Sequence, residues 1–334
     1  MILQTVTPDQ LRGRIMSVYT LVFNGNIPIG NFFVGSTAYL FSTAISLLAG
    51  ASISLLLLLP LGFPCSSRKR ASYITAMSIT NWDIYPLTIA NQQQHIEQSE
   101  CLLSSIQPDN RPILYWSVAD PTGLVLGFSQ KHSILNPVAL ASLTLPIYHR
   151  RAGGTAVLVG PHLLSLDVVL PAGHPLIHSD IVESYRWFGE AWVIALRQFG
   201  VQARSVPPAE AHAQRTLRKQ PESSAYELLM YRACYGSLSP YEVVVGQRKV
   251  VGFDMVRRRV GTLLQAGIVL HWDTTLLADL LGHTEEEQTL LRTGLQERAV
   301  GLDTLAGRPI SSAEVISIFE QVLVSEDFLR LLER

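Results

Sequence analysis

The stretch HRRAGGTAVL, His149 to Leu158, runs three basic residues into a glycine pair and then into an apolar strand. Glycines let backbone N–H groups approach a ligand closely and form an anion-binding concavity. An arginine beside them adds a planar fork of donors suited to phosphate. A solvated basic turn before a strand has the same composition, so the loop alone leaves both readings open. Other chemistry is argued against by spacing. The three cysteines, Cys65, Cys101 and Cys234, form no CxxC pair, which speaks against a zinc site or a disulfide framework and fits a reducing, cytosolic setting. His174 and His178 stand four apart, but Pro175 breaks the helix that a metal pair would need. No P-loop or nucleophile elbow is present. The run Arg257–Arg259 lacks aromatic interleaving and a basic domain around it, so nucleic acid is not an expected partner.

The elements around the loop fall into two parts. The chain has 334 residues and a net charge of −1, with only 16% charged residues where about 25% is usual. The deficit is local, because no Asp, Glu, Lys or Arg occurs from Ile15 to Ser67. That stretch is long enough for two membrane spans, roughly 16–34 and 40–63, at about 20 residues each. Basic flanks at Arg12, Arg14, Arg68, Lys69 and Arg70 place both ends in the cytoplasm. The opening TPDQLRGRIMSVYTLVFNGNIPIGN resembles the final loop and last two helices of major facilitator transporters. The resemblance implies a fragment that acts at most as an anchor, since two helices cannot enclose a substrate path. The organisation expected is a membrane segment at 1–66, a linker at 67–80 and a catalytic domain at 81–334.

After Ser72 short apolar runs alternate with helical patterns, which predicts an α+β domain of mixed sheets packed with helices. Ile113–Val118 and Gly123–Phe128 read as a strand pair across DPTG, and TAVLVG and LLSLDVVLP as further strands. Asp180 and Glu183 have capping-box spacing for a helix whose stripe is Tyr185, Phe188, Trp192 and Leu196, closed at Gly200. The stripe is expected to be core. YEVVV and RKVVGFDMV flank Gly246-Gln247, the signature of a hairpin with a glycine-first turn. LLQAGIVLHW adds a strand, and Ser311 with Glu314 opens a C-terminal helix.

In this order, HRRAGGTAVL, LSLDVVLP, the helix ending ALRQFGV, ACYGSLSPYEVVVGQRKVVG and RRRVGTLLQAGIVL resemble the lipoate–protein ligase and octanoyltransferase family, which shares its catalytic fold with biotin–protein ligase. The resemblance runs from Trp82 to the C-terminus. The family pattern Arg-Arg-x-Ser/Thr-Gly-Gly-x-Ala-Val places its glycines on Gly153 and Gly154 and its last two residues on Ala156 and Val157. Its second arginine falls on Arg150, its first on His149 and its Ser/Thr on Ala152, so the visible Arg150-Arg151 pair stands one step out of register. The resemblance implies that this loop, with Arg150, Gly153, Gly154, Thr155 and Ala156, wraps the acyl group and any adenylate. It implies that Lys249 contacts the acyl carbonyl or the phosphate of an activated acyl group. A fixed cation there would stabilise the charge that develops on the carbonyl oxygen. Strand alternation turns Arg248 to the opposite face. It further implies that Cys234 is an acyl nucleophile, as in the octanoyltransferase branch; a small buried apolar residue is the competing role. Gly252 and Gln265 match the family's substrate strands. The following residues do not: Phe253-Asp254-Met255 replaces Ser-Ala-Gln, and Ala266 and Ile268 replace the His and Ser of Gln-His-Gly-Ser.

The function implied is attachment of a lipoyl or octanoyl group to a lysine of a lipoyl carrier domain, of the 2-oxoacid dehydrogenase or glycine cleavage H type. The acyl group would arrive either as free lipoate or octanoate activated by ATP with magnesium, or from an acyl carrier protein. The short tail after the last strand leans toward transfer. The altered motifs motivate a rival, a divergent non-catalytic acyl-binding protein, and the N-terminal segment a third, a transporter remnant. No bound metal is expected. The catalytic domain is expected to be cytoplasmic, anchored by residues 15–63.

Overall fold

The computed structural model describes residues 82–332 and, before them, Tyr39 alone. The two expected spans and the linker lie outside the described residues. Among the described residues no helix is long and apolar enough to cross a membrane.

The chain enters a seven-stranded sheet at β1 (Asp83–Ala90), crosses it with helix α1 (Gln92–Ser105) and returns at β2 (Ile113–Ala119), parallel to β1. Asn91 starts α1 with a full capping box, exchanging bonds with Gln94. A small sheet follows, from β3 (Gly123–Leu126), then helix α2 (Pro137–Ser142), β4 (Ile147–His149) and β5 (Val157–Val159), in the order β4-β3-β5. The expected strand pair across DPTG is corrected here. Strand β2 has both edges taken, by β1 and by β6 (Leu163–Pro171), so the chain at Asp120-Pro121-Thr122 leaves for the second sheet instead of folding back.

Helix α3 (Arg186–Arg197), β7 (Arg204–Ser205), α4 (Pro208–Leu217) and α5 (Ser224–Met230) lead to the hairpin of β8 (Val243–Val245) and β9 (Arg248–Arg257). Gly246 takes φ +62° at its turn. Strand β10 (Gly261–Val269) completes the order β1-β2-β6-β10-β9-β8-β7. Helices α6 (Thr275–Leu281), α7 (Glu285–Arg298), α8 (Leu302–Ala306), α9 (Ser312–Val322) and α10 (Glu326–Leu332) close the domain.

The expected capping box at Asp180 does not form. Asp180 accepts from the Val182 N–H, two residues on, and a 3-10 turn at Glu183–Tyr185 precedes α3. The Glu183 carboxylate accepts from the Tyr241 hydroxyl and is not available to reach back. Ser311 does cap α9 through the Glu314 N–H.

Strand alternation divides the large sheet into two faces. One face carries Trp116, Leu166, Val168, Leu264 and Ala266 and packs against α3 and α9. Phe188, Trp192 and Leu196 of the expected stripe are fully buried there. Trp192 stacks on Phe319 at 4.2 Å between ring centres, and Trp116 meets both edge-on. The other face carries Tyr115, Ser165, Asp167, Gln265 and Gly267, under α1 and the small sheet. That second face, walled but not filled with apolar side chains, is the floor of the site.

Candidate active site

Cys234 stands at the head of a 3-10 turn, Cys234–Gly236. Its position is set by the exit of the glycine loop. The Cys234 N–H donates to the Ala156 carbonyl at 2.7 Å, and the Ala156 N–H donates to the Arg232 carbonyl at 3.1 Å. Ala156 is fully buried, so its backbone holds the cysteine while its side chain fills the wall behind. Tyr235 lies beside it, with its hydroxyl donating to the Gly267 carbonyl at 2.7 Å. Burial pushes that phenol well above its ordinary range.

Lys249 reaches Cys234 because of an irregularity in β9. Counting by alternation from Gly252 and Asp254 would turn Lys249 to the opposite face. The pairing with β8 runs Val243 to Val251 and Val244 to Lys249, so Val250 is an extra residue. This bulge re-aims the lysine. Its ammonium donates to the Cys234 carbonyl and to Glu242 Oε2, both at 2.8 Å. Lys249 is 1% exposed and Glu242 2%. Glu242 is itself fixed by the N–H groups of Ser239, at 2.6 Å, and Phe253, at 3.2 Å. An ammonium has three N–H bonds, so one remains beyond these two partners. Arg248 is only partly buried, as alternation requires.

The loop HRRAGG divides its two arginines. Arg150 turns inward, donates to the Thr155 carbonyl at 3.2 Å and lies 3.3 Å from the Asp254 carboxylate. Its Nε is buried without a partner among the described residues. Arg151 turns outward, mostly exposed, to Glu100. Gly154 takes φ +89°, and a Cβ there would collide with Arg150 Nη2. Only glycine lets the guanidinium fold back over the loop. Burial raises the Asp254 carboxyl above its usual range, and the adjacent Arg150 cation pulls it back down in part.

Two cavities meet at this cluster. One of about 110 Å³ lies on the sheet face and is lined by Gly252, Gln265, Asp167, Ser117 and Tyr235. The other, about 730 Å³, is lined by Lys249, Gly154, Thr155, His212, Arg215 and Arg218. Arg150, Cys234, Phe253 and Asp254 line both. The structure therefore brings together Cys234, Lys249, Arg150, Gly154, Thr155, Gly252 and Gln265. Gly153 is exposed and lines neither cavity, and Ala156 acts through its backbone.

Sequence reasoning missed the pairing of Glu242 with Lys249. It also missed Asp167, although a single carboxylate inside the apolar run LLSLDVVLP was a usable signal. Of the Arg257–Arg259 run, Arg257 donates to the His178 carbonyl and Arg258 pairs with Glu100, so these two serve the fold.

This chain matches the family model of the lipoyl protein ligase A/B catalytic domain over residues 91–324. It belongs to that family. It is 28% identical over 246 residues to an octanoyltransferase LipM of Exiguobacterium sp., covering 73% of this chain and 86% of the relative. It is 34% identical to the octanoyltransferase LipM of Kyrpidia tusciae over 199 residues, 59% of this chain and 68% of the relative. The fold is similar to a bi-partite lipoate protein ligase from Thermoplasma acidophilum, with TM-score 0.56 and 18% identity over 75% of this chain and 89% of that one. It is also similar to a lipoate-protein ligase A bound with ATP, with TM-score 0.53 and 18% identity over 76% and 92% of the two chains.

Proposed function

We propose that this chain moves an octanoyl or lipoyl group from an acyl thioester to a lysine of a lipoyl carrier domain, with Cys234 holding the acyl group between the two. The observation that carries this is the position of Cys234, which faces both cavities and whose carbonyl is fixed by the Lys249 ammonium at 2.8 Å. In the first step the Cys234 sulfur attacks the thioester carbonyl carbon. The donor thiol leaves with the proton that the cysteine gives up. In the second step the carrier lysine amine attacks the Cys234 thioester, forms the amide and returns a proton to the sulfur. Both steps place negative charge on the carbonyl oxygen, and the remaining Lys249 N–H is a fixed donor for it.

The larger cavity carries Arg215, Arg218 and His212, which suit the phosphate of a carrier protein's prosthetic arm. Activation of a free acid by ATP and magnesium is the second route. It is disfavoured because Arg150, the loop cation, already faces the Asp254 carboxylate. Carrier domains of the 2-oxoacid dehydrogenase or glycine cleavage H type are the proposed acceptors. The uncharged stretch 15–63 is proposed, from its sequence alone, as a transporter-like anchor that holds the enzyme at the cytoplasmic face of a membrane.

The test is to incubate the chain with an apo lipoyl domain and either octanoyl carrier protein or octanoate with ATP and magnesium, then weigh the domain. Mass gain from the carrier protein is expected, and Cys234→Ala should abolish it. No gain with either donor would leave a non-catalytic binder. Gain from octanoate and ATP alone would make the chain a ligase.

A further inference from the structure

The cavity on the sheet face is more polar than an alkyl chain requires. Strand register explains why. Ser117, Ser165, Gly267 and Gly252 stand opposite one another across β2, β6, β10 and β9. One step along, Tyr115, Asp167, Gln265 and Asp254 do the same. All but Tyr115, which packs under α1, line the cavity, and α1 adds His95 and Ser99 to it. The first row sits against Tyr235, the neighbour of Cys234, because its glycines leave room for that ring. Asp167 is two strands across and two residues along from Gly252, about 12 Å away by strand spacing and rise. That is the reach of a medium-length acyl chain entering from Cys234.

Asp167 is 4% exposed and, among the described residues, has no cation beside it. Its Oδ1 accepts from Gln265 Nε2 at 2.9 Å, and its Oδ2 bonds Ser99 Oγ. Ser99 has one proton and two oxygens in reach, because the His95 carbonyl is also 2.7 Å away. Both contacts are satisfied at once when Ser99 donates to His95 and a neutral Asp167 donates to Ser99. Burial pushes the Asp167 carboxyl up to about 6, so that neutral form is the one held below about pH 6. The carboxyl then keeps acceptor capacity toward the cavity, beside the side chains of Gln265, Ser117 and Ser165.

We infer that this cavity selects an acyl chain whose distal end carries a neutral hydrogen-bonding group, a hydroxyl or an amide, and that Asp167 is the residue that makes the selection. The inference rests on the acyl-transfer reading for what enters the cavity. A plain alkyl end would cover the remaining hydrogen-bonding capacity of these groups without a partner for it, and a charged end would be desolvated without an opposite charge.

Binding tests this without requiring turnover. Octanamide and 8-hydroxyoctanamide are uncharged and keep the acyl carbonyl. By calorimetry at pH 5, where Asp167 is neutral, the full chain is expected to bind 8-hydroxyoctanamide about tenfold more tightly, the scale of one buried hydrogen bond. Asp167→Asn should keep the preference, and Asp167→Leu should reverse it while binding octanamide at least as well as the parent. A residue that only held α1 to the sheet would change both affinities alike. Equal binding of the two amides by the parent chain, a preference for octanamide, tighter binding of 8-aminooctanamide, or no binding at all would overturn the inference. The parent's preference decides even if the leucine variant fails to fold. If the preference holds while no lipoyl domain is acylated, the catalytic reading fails and the cavity assignment stands.

Discussion

Replacing Lys249 with methionine removes an ammonium that is 1% exposed and leaves Glu242, 2% exposed, without its counter-charge. Breaking a buried ion pair from one side costs about 3–5 kcal/mol, because the survivor stays desolvated. The structure places this variant at the low end, about 3 kcal/mol, since Glu242 still accepts the N–H groups of Ser239 and Phe253. Glu242→Ala sits at the high end, about 5 kcal/mol. It leaves the ammonium with the Cys234 carbonyl alone and strands both of those N–H donors. Urea unfolding of the full chain reads the difference. With a slope of about 2–3 kcal/mol per M, Lys249→Met should lower the midpoint by about 1 M and Glu242→Ala by about 2 M. Transfer should be lost in both. A Lys249→Met variant within about 0.5 kcal/mol of the parent, the range of a surface change, would refute the reasoning. So would a larger loss for Lys249→Met than for Glu242→Ala, because the two backbone donors would then not be supporting Glu242.

Ala156→Val adds two methyl groups at a fully buried position behind Cys234, at a cost of about 1–3 kcal/mol, and should cut the rate of Cys234 acylation measured by intact mass; an unchanged rate would mean the loop does not position the cysteine. Asp167, with its carboxyl at about 6 against 3.8, binds more protons folded than unfolded between those values, so its contribution to stability is greatest below about pH 4 and falls as pH rises through about 6. That loss is about 3 kcal/mol, and Asp167→Asn should escape it, matching the parent near pH 4 and exceeding it at pH 8 in denaturant midpoints; parallel pH profiles would rule this out. Asp254→Ala should free Arg150 to hold an anion and tighten octanoate binding about tenfold by calorimetry, with no change arguing that the pair is solvated.

The parts of this fold that were legible in the sequence are those set by local rules. The β8–β9 hairpin follows from glycine at its turn, and the buried stripe of α3 from helical spacing. The α+β class followed from the alternation of runs. What failed depended on distant partners. DPTG has turn composition, but nothing local says that both edges of β2 are already occupied. Asp180 and Glu183 have capping spacing, but Tyr241, far along the chain, takes the Glu183 carboxylate. The site shows the same division. Cys234 and Lys249 were visible as residue types, whereas their meeting depends on a bulge at Val250 that alternation cannot anticipate.

The charges of the site explain why one departure from the family pattern bears on mechanism. Lys249 is paired with Glu242 at 2.8 Å and Arg150 lies 3.3 Å from Asp254. Each of the two inner cations therefore has a carboxylate beside it before any ligand enters. A site that must hold a free carboxylate and then an acyl phosphate gains from an uncompensated cation, while a neutral thioester does not need one. It needs only a directed N–H where charge develops, and in the proposed mechanism the third N–H of Lys249 is that donor. Asp254 stands where the family commonly carries alanine, so the substitution lowers the net positive charge beside the glycine loop without removing the lysine. Cationic side chains do remain at Arg215 and Arg218, in the outer cavity and away from the sheet face. An anion held there and a neutral carbonyl held at Cys234 would be the charge pattern that the proposed phosphate-bearing arm needs to deliver its thioester inward.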